Sequence, residues 1–226
     1  MSRIAALFLV IFTPVLAICL AWLGLATLPT NPLGWFLLLT GSVYSAGVML
    51  VVGIRRRRFW ERSKEVEAIQ EERGDRSFWW ITLGMIAVFY LSPLEYLYLA
   101  AWLPRTAWTK LVGLGLAAAG SLLFVWARRT LGASYSGHVS VEREQELVQS
   151  GPYRWLRHPA YTGYLSMALG ISLGYSSLSG LVSVLVLLLP SLVYRINVEE
   201  KMLSEHFGEV HRQYASRVKR LIPGIW

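Results

Sequence analysis

Apolar runs of about twenty residues recur along this chain, at roughly 4–26, 33–54, 78–101, 111–127, 160–176 and 180–194. An α-helix rises about 1.5 Å per residue and a bilayer's hydrocarbon core is about 30 Å thick, so the longer runs can cross it. Inside that core only helices and closed barrels satisfy their backbone polar groups, and uninterrupted runs of this length are helical. With 54% apolar side chains and a mean hydropathy of +0.44, an ordinary soluble domain is excluded. The expected fold is all-α: a polytopic integral membrane helical bundle of five to six transmembrane segments, with a C-terminal cytosolic helix. The last two runs have only about 15 to 17 apolar residues each, roughly 22–26 Å of helix. The 160–194 hairpin therefore crosses barely or dips in and returns, and both of its ends emerge on one side.

Charge orients the bundle. The formal net charge is +8, which in a soluble chain would suggest nucleic acid. With the N-terminus inside, however, the cytosolic parts hold twenty Lys and Arg, and the outer loops hold only Arg105 and Lys110. That positive-inside bias puts both termini in the cytoplasm. The basic excess reads as topology and attraction to membrane lipids, with no nucleic-acid partner expected. The run Arg55-Arg56-Arg57-Arg58 is a stop at the cytosolic surface, and Glu61 to Arg76 alternates charges as a solvated or surface-lying helix.

Several features carry structure more readily than chemistry. The one cysteine, Cys19, allows no intrachain disulfide, and neither the cysteine nor the histidines give a metal spacing, so no metal is expected. His206 and His211 read as solvated. Gly113, Gly115, Ala119 and Gly120 lack the strand-to-helix context of a nucleotide loop and read as close helix packing. Glu95, the one acid within an apolar run, lies roughly 25 Å along its helix and is expected to snorkel to the outer boundary. A serine triad lacks its elbow motif. Glu199 and Glu200, as neighbours on one helix, point about 100° apart, which argues against a catalytic carboxylate pair.

Two patches remain. Gly151 to Gly163 packs two Arg, a His and two Tyr against an apolar segment, with Gly151-Pro152 as a turn and Pro159 suited to a first helical turn. The positive end of that helix sits beside Arg154, Arg157 and His158, which suits an anionic group. One hairpin later, Arg195 and Glu199 emerge at the same membrane face. Together His158, Pro159, Tyr153, Tyr161, Arg195 and Glu199 make an anion- or zwitterion-binding pocket. Residue types alone equally allow lipid-anchoring arginines, an interfacial tyrosine belt and an Arg195–Glu199 pair.

The pattern Gly-Pro-Tyr-Arg-x-x-Arg-His-Pro-x-Tyr-x-Gly at 151–163, then Arg195-x-x-x-Glu199-Glu200-x-x-Leu203 and Phe207-Gly208 with Tyr214, resembles the isoprenylcysteine carboxyl methyltransferase family. Phospholipid methyltransferases share part of it. The resemblance covers about 128–226. It divides the chain into N-terminal transmembrane helices, 1–109, and a methyltransferase core, 110–226, with a membrane hairpin and cytosolic cofactor-binding segments. It implies an S-adenosylmethionine-dependent methyltransferase acting on a lipophilic, membrane-resident substrate. By the family's pattern, cofactor contacts fall on Gln145, Glu146, Leu147, Val148, Tyr153, His158, Pro159, Ala160, Tyr161 and Glu199, with His138 a looser candidate. Arg195 matches the arginine that holds the substrate carboxylate and, with Glu199, is a catalytic candidate. His211 departs from relatives that often carry Tyr there.

The lead expectation is O-methylation of a prenylcysteine-like carboxylate at the cytosolic face. N-methylation of a phospholipid amine is the alternative, with Glu199 or Glu200 as base candidates. A pyridine-nucleotide reductase, or a non-catalytic ligand-binding membrane protein, stands further off.

Overall fold

In the computed structural model the described residues are 3–54, 77–132 and 147–222, with side chains described over 15–43 and throughout the two later stretches. Regular structure among them is helical, apart from one parallel bridge between Leu156 and Lys219. In chain order the helices are α1 (Arg3–Thr27), α2 (Leu33–Ile54), α3 (Ser77–Tyr98), α4 (Ala107–Leu131), α5 (Pro159–Gly174), α6 (Leu178–Phe207) and α7 (Glu209–Arg217). By length and composition α3, α4 and α6 can each cross a membrane. The first two helices, α1 and α2, run for 25 and 22 residues. These bounds match the apolar runs to within a few residues, and α6 continues unbroken from the last run through the Arg195–Leu203 patch.

Contacts between helix ends sort the bundle into two poles. At one pole lie the α1–α2 turn, the end of α3, the start of α4 and the α5–α6 turn. Asn31 donates to the Gly174 carbonyl at 2.8 Å, the Thr27 and Tyr175 hydroxyls meet at 2.9 Å, and Ser176 donates to the Pro104 carbonyl at 2.9 Å. At the other pole lie the start of α3, the end of α4, the start of α5 and the polar half of α6. The buried residues Leu33, Leu37, Val88, Ala117, Ile171, Tyr175, Leu188 and Leu192 join α2 through α6 in one core. Trp22, Trp35, Trp79, Leu122, Leu185 and Val186 face outward, as an apolar surface does when lipid is its solvent.

The small-residue face works as expected, on a narrower set of positions. A Cβ at Gly113 would lie 2.4 Å from the Gly174 Cα, and one at Gly120 would lie 2.6 Å from the Gly163 carbonyl oxygen. A Cβ at Gly170 would in turn lie 2.4 Å from the Ala117 backbone nitrogen. Gly113, Ala117 and Gly120 thus let α4 and α5 cross backbone to backbone. Gly115 and Ala119 point outward and take no part.

Pro190 shapes α6. It has no N–H to bond the carbonyl four residues back, and its ring crowds that turn. The chain answers with a π-helical turn, Val184–Leu188, in which the Leu189 N–H reaches the Val184 carbonyl.

Glu95 corrects an expectation. Its depth near one end of α3 is as counted, but it is only 5% exposed and does not snorkel. It accepts hydrogen bonds from the Ser177 hydroxyl at 2.7 Å, the Ser179 hydroxyl at 2.5 Å, the Leu178 N–H at 3.0 Å and the Ser179 N–H at 2.8 Å. A helix start has unsatisfied N–H groups and a partial positive charge. Glu95 supplies that cap to α6 from a neighbouring helix, a role set by helix rotation rather than by depth.

Candidate active site

The site is built where α5 begins, α6 turns polar and the chain's last described residues return. Gly151 takes a left-handed φ of +58° and opens a short 3₁₀ turn, Gly151–Arg154, packed against Thr130 of α4. The turn divides the basic-aromatic motif between two directions. Arg154 and Trp155 face out, the guanidinium 5.7 Å from the indole centroid, while Pro152, Tyr153 and Leu156 are buried. The next two residues pair with the C-terminal segment: the Arg157 N–H donates to the Lys219 carbonyl at 2.8 Å and the His158 N–H to the Arg220 carbonyl at 3.0 Å. His158 is the N-cap of α5 and Pro159 its first residue, where the missing N–H costs nothing.

At the centre is the His158 imidazole, 6% exposed. Its Nε2 lies 2.8 Å from Glu200 Oε1 and its Nδ1 lies 3.4 Å from Glu199 Oε2. Adjacent carboxylates on one helix do point apart. One imidazole nevertheless meets both, because its two nitrogens also face different directions. An ionised carboxylate only accepts hydrogen bonds, so an imidazole between two of them donates from both nitrogens and is the cation. Burial by itself would push the imidazole down, but bonding to Glu199 and Glu200 outweighs it and holds His158 above the usual histidine range.

Each carboxylate has further partners. Glu199 accepts from the Tyr161 hydroxyl and, at 2.8 Å, from Arg195 Nε; the same nitrogen lies 3.3 Å from the Tyr161 oxygen. Arg195 is 4% exposed and its Nη1 reaches the Ser77 hydroxyl at the start of α3, at 3.4 Å. Glu200 takes a two-pronged bond from Arg157, Nε to Oε1 and Nη2 to Oε2, both at 2.8 Å, with Arg220 Nε 3.6 Å away. Arg157, His158, Arg195 and Arg220 thus outnumber Glu199 and Glu200 by two positive charges. The Tyr161 ring stacks on His158 with centroids 5.7 Å apart. A buried polar cluster with a net positive charge, at a helix start and at the water-facing end of a membrane bundle, is suited to an anionic or zwitterionic ligand.

Of the residues singled out in the sequence, His158, Tyr161, Arg195 and Glu199 meet here, with Pro159 and Ala160 forming the first turn behind them. Tyr153 is buried beside them, and its carbonyl accepts from the Tyr214 hydroxyl at 2.7 Å. Leu147 and Val148 are half-buried at the start of their stretch. His138, Gln145 and Glu146 lie outside the described residues, as do Arg55 to Arg58 and Glu61 to Arg76. His206 is exposed as expected, but His211 is not: it is 3% exposed, and its Nε2 has no hydrogen-bond partner among the described residues. Burial holds it below the usual histidine range. Sequence reasoning also missed the fork of Arg157 on Glu200, the Ser77 contact and the return of Val218–Leu221. Arg157 was in view within the motif, but nothing in the spacing pairs it with a residue 43 positions on.

Comparison with known proteins supplies the chemistry. A family model described as phospholipid methyltransferase matches residues 108–210. Protein-S-isoprenylcysteine O-methyltransferase A of Arabidopsis thaliana is 30% identical over 150 residues, covering 64% of this chain and 76% of the relative. The B form from the same plant is 29% identical over 140 residues, 60% of this chain and 71% of its own. The Saccharomyces cerevisiae protein-S-isoprenylcysteine O-methyltransferase is 37% identical over 101 residues, 44% of this chain and 42% of its own length. A solved structure of a eukaryotic intramembrane Ras methyltransferase, an isoprenylcysteine carboxyl methyltransferase, shares the fold: TM-score 0.59 at 21% identity, over 100% of this chain and 88% of that one. With its helices spanning the membrane and its polar cluster at one pole, this chain is an integral membrane methyltransferase and belongs to the isoprenylcysteine carboxyl methyltransferase family.

Proposed function

We propose that this enzyme moves a methyl group from S-adenosylmethionine to the carboxylate of a lipophilic, isoprenylcysteine-like acceptor at the cytosolic face of the membrane. The observation that carries the reading is the doubly bonded His158 imidazolium beside Glu199 and Arg195. It offers positive charge for the donor's carboxylate, one carboxylate for its ammonium, and a guanidinium for the acceptor. Glu199 would hold the donor's ammonium, and the α5 N-terminus would face its carboxylate, with the charge of His158, whose two nitrogens already bond Glu199 and Glu200, lying nearby. By the family's pattern the donor's other contacts would be Tyr161, Tyr153, Pro159, Ala160 and Gln145–Val148, with His138 a looser candidate. When bound, the sulfonium supplies an already electrophilic methyl, so the protein's part is alignment.

Arg195 orients the acceptor carboxylate. Its guanidinium would hold that carboxylate so that one oxygen faces the methyl group that bound S-adenosylmethionine would supply. An anionic oxygen has no proton to lose, so no base is required. That favours the ester over methylation of a phospholipid amine, which must be deprotonated first. Glu200 is poorly placed as that base, because Arg157 and His158 already occupy it.

The polarity of the bundle supports termini in the cytoplasm. Arg128, Arg154, Arg157, Arg195 and Arg220 lie at the site pole, whereas Lys110 bonds the Thr30 carbonyl at the opposite one. In this reading 110–226 carries the methyl-transfer site, and 1–109 forms the membrane wall beside it, reaching the site through Ser77.

The test incubates purified protein with methyl-labelled S-adenosylmethionine and either a farnesylcysteine-type acid or phosphatidylethanolamine, then treats the product with alkali. Volatile labelled methanol from the acid is the expected result. Arg195→Ala should lower acceptor turnover while donor affinity holds. Alkali-stable label on the amine lipid, with none on the acid, overturns the ester reading.

A further inference from the structure

The backbone of residues 214–221 is not used by the chemistry above, yet it is tied to the site at several points. Leu156 and Lys219 form a parallel bridge, and the N–H groups of Arg157 and His158 bond the carbonyls of Lys219 and Arg220. The Thr162 hydroxyl, one turn into α5, bonds the Leu221 carbonyl at 2.8 Å. The Arg157 guanidinium spans both partners: Nη1 donates to the carbonyls of Ala215 and Val218, while Nε and Nη2 fork onto Glu200.

We propose that Arg157, clamped between Glu200 and the carbonyls of Ala215 and Val218, is a positioning residue, and that Val218–Leu221 is the strap through which it sets the His158 imidazolium against Glu199. The Arg157 guanidinium is committed to the strap and to Glu200. A planar five-donor fork can satisfy a carboxylate and two carbonyls together, which a lysine ammonium, a point charge, cannot do in one geometry. Glu200 likewise holds His158 rather than acting as a base. The strap shapes the N-cap of α5 from outside, because His158 and Arg157 spend their backbone N–H groups on it. The inference rests on the reading that His158 and Glu199 hold the methyl donor.

The groups facing the imidazole are Glu199, Glu200 and Arg195 from α6, Arg157 and Tyr161 beside it in sequence, Arg220 from the strap and His211 from α7. Removing Glu200's charge takes away one of the two anions that keep His158 protonated. The pH at which donor affinity falls on the alkaline side should then move down.

The experiment uses the full chain in lipid nanodiscs, with S-adenosylmethionine binding and its KM and kcat measured across pH for the wild type, Arg157→Ala, Arg157→Lys, Glu200→Gln and Thr162→Val. Arg157→Ala should raise the donor KM about tenfold or more while kcat falls less, about the loss of one buried charged hydrogen bond. Arg157→Lys should recover only part of this, and Glu200→Gln should shift the alkaline limb to lower pH. Thr162→Val, which removes the hydroxyl's bond to the Leu221 carbonyl and its longer one to the His158 carbonyl at 3.3 Å, should raise the donor KM by a fewfold with an unchanged limb. If Arg157→Ala fails to fold, the lysine, Gln and Val variants decide. Donor KM at the wild-type value in Arg157→Lys and Thr162→Val, or an unmoved limb in Glu200→Gln, overturns the proposal. His158→Ala separates the two readings. Donor binding lost there but intact in the Arg157 and Thr162 variants refutes only the strap, whereas donor binding retained in His158→Ala refutes the site itself.

Discussion

Glu95 and Glu199 are both buried carboxylates with several hydrogen-bond partners, at opposite poles of the same α5–α6 hairpin. Glu95 is satisfied by neutral donors, two serine hydroxyls and two N–H groups at the start of α6. Glu199 is satisfied by a guanidinium, an imidazolium and a tyrosine hydroxyl. Neutral donors fixed on a helix end lock a carboxylate in place and leave nothing for a ligand to exchange. Cations around a carboxylate carry charge that an incoming carboxylate or ammonium can share, and here they exceed the acids. One pole is therefore a fastener and the other the candidate site, although the sequence shows a lone acid near a helix end in one and an acid pair in the other.

Substitutions should separate the two poles. A large effect is expected at Glu199→Ala, which leaves Arg195 and His158 without their shared partner. Truncating one member of a buried charged pair costs about 3 kcal/mol, so donor binding should fall roughly 100-fold, read by titration calorimetry. Glu95→Ala should instead lower stability by about 2–4 kcal/mol, by stranding the α6 start, with donor affinity unchanged in the folded fraction; thermal unfolding in detergent reads it. Similar losses of donor binding at both positions would erase the distinction.

Smaller changes sharpen it. Gly170→Ala should cost about 1–3 kcal/mol, because a methyl there meets the Ala117 backbone at 2.4 Å, while Gly115→Ala, with nothing within 4 Å, should be neutral by the same assay. The pH effect is the most modest. His158 is held above its unfolded value of about 6.5. Its contribution to stability is therefore fully present below that value and lost as pH rises through the raised one. The unfolding temperature should decline on the alkaline side, and His158→Gln should lack that slope.

Much of this molecule was legible in its sequence, because a membrane forces long apolar runs and asymmetric basic loops, and both are one-dimensional signals. Helix bounds, the small-residue crossing and the meeting of His158 with Arg195 and Glu199 followed from periodicity and from the two ends of one hairpin being neighbours. What failed depended on rotation and on contacts distant in sequence. Glu95 had its depth right and its direction wrong. Glu199 and Glu200 were correctly judged divergent, but a two-headed imidazole made divergence useful. His211 looked solvated because α7 is short and polar in composition, yet it is buried beside Arg157, His158 and Glu200, residues distant in sequence. Val218–Leu221 carries no periodicity at all, since its bonds to Arg157, His158 and Thr162 are made chiefly by its backbone.

The central claim is that the donor is held by the charged pole, through His158, and not by the bundle at large. The direct measurement is equilibrium binding of S-adenosylmethionine to the wild type, His158→Ala and Glu95→Gln in the same nanodiscs. The account predicts saturable binding in the wild type, binding lost in His158→Ala, and affinity within about twofold of wild type in Glu95→Gln. Unchanged affinity in His158→Ala, or equal loss in both variants, would contradict it.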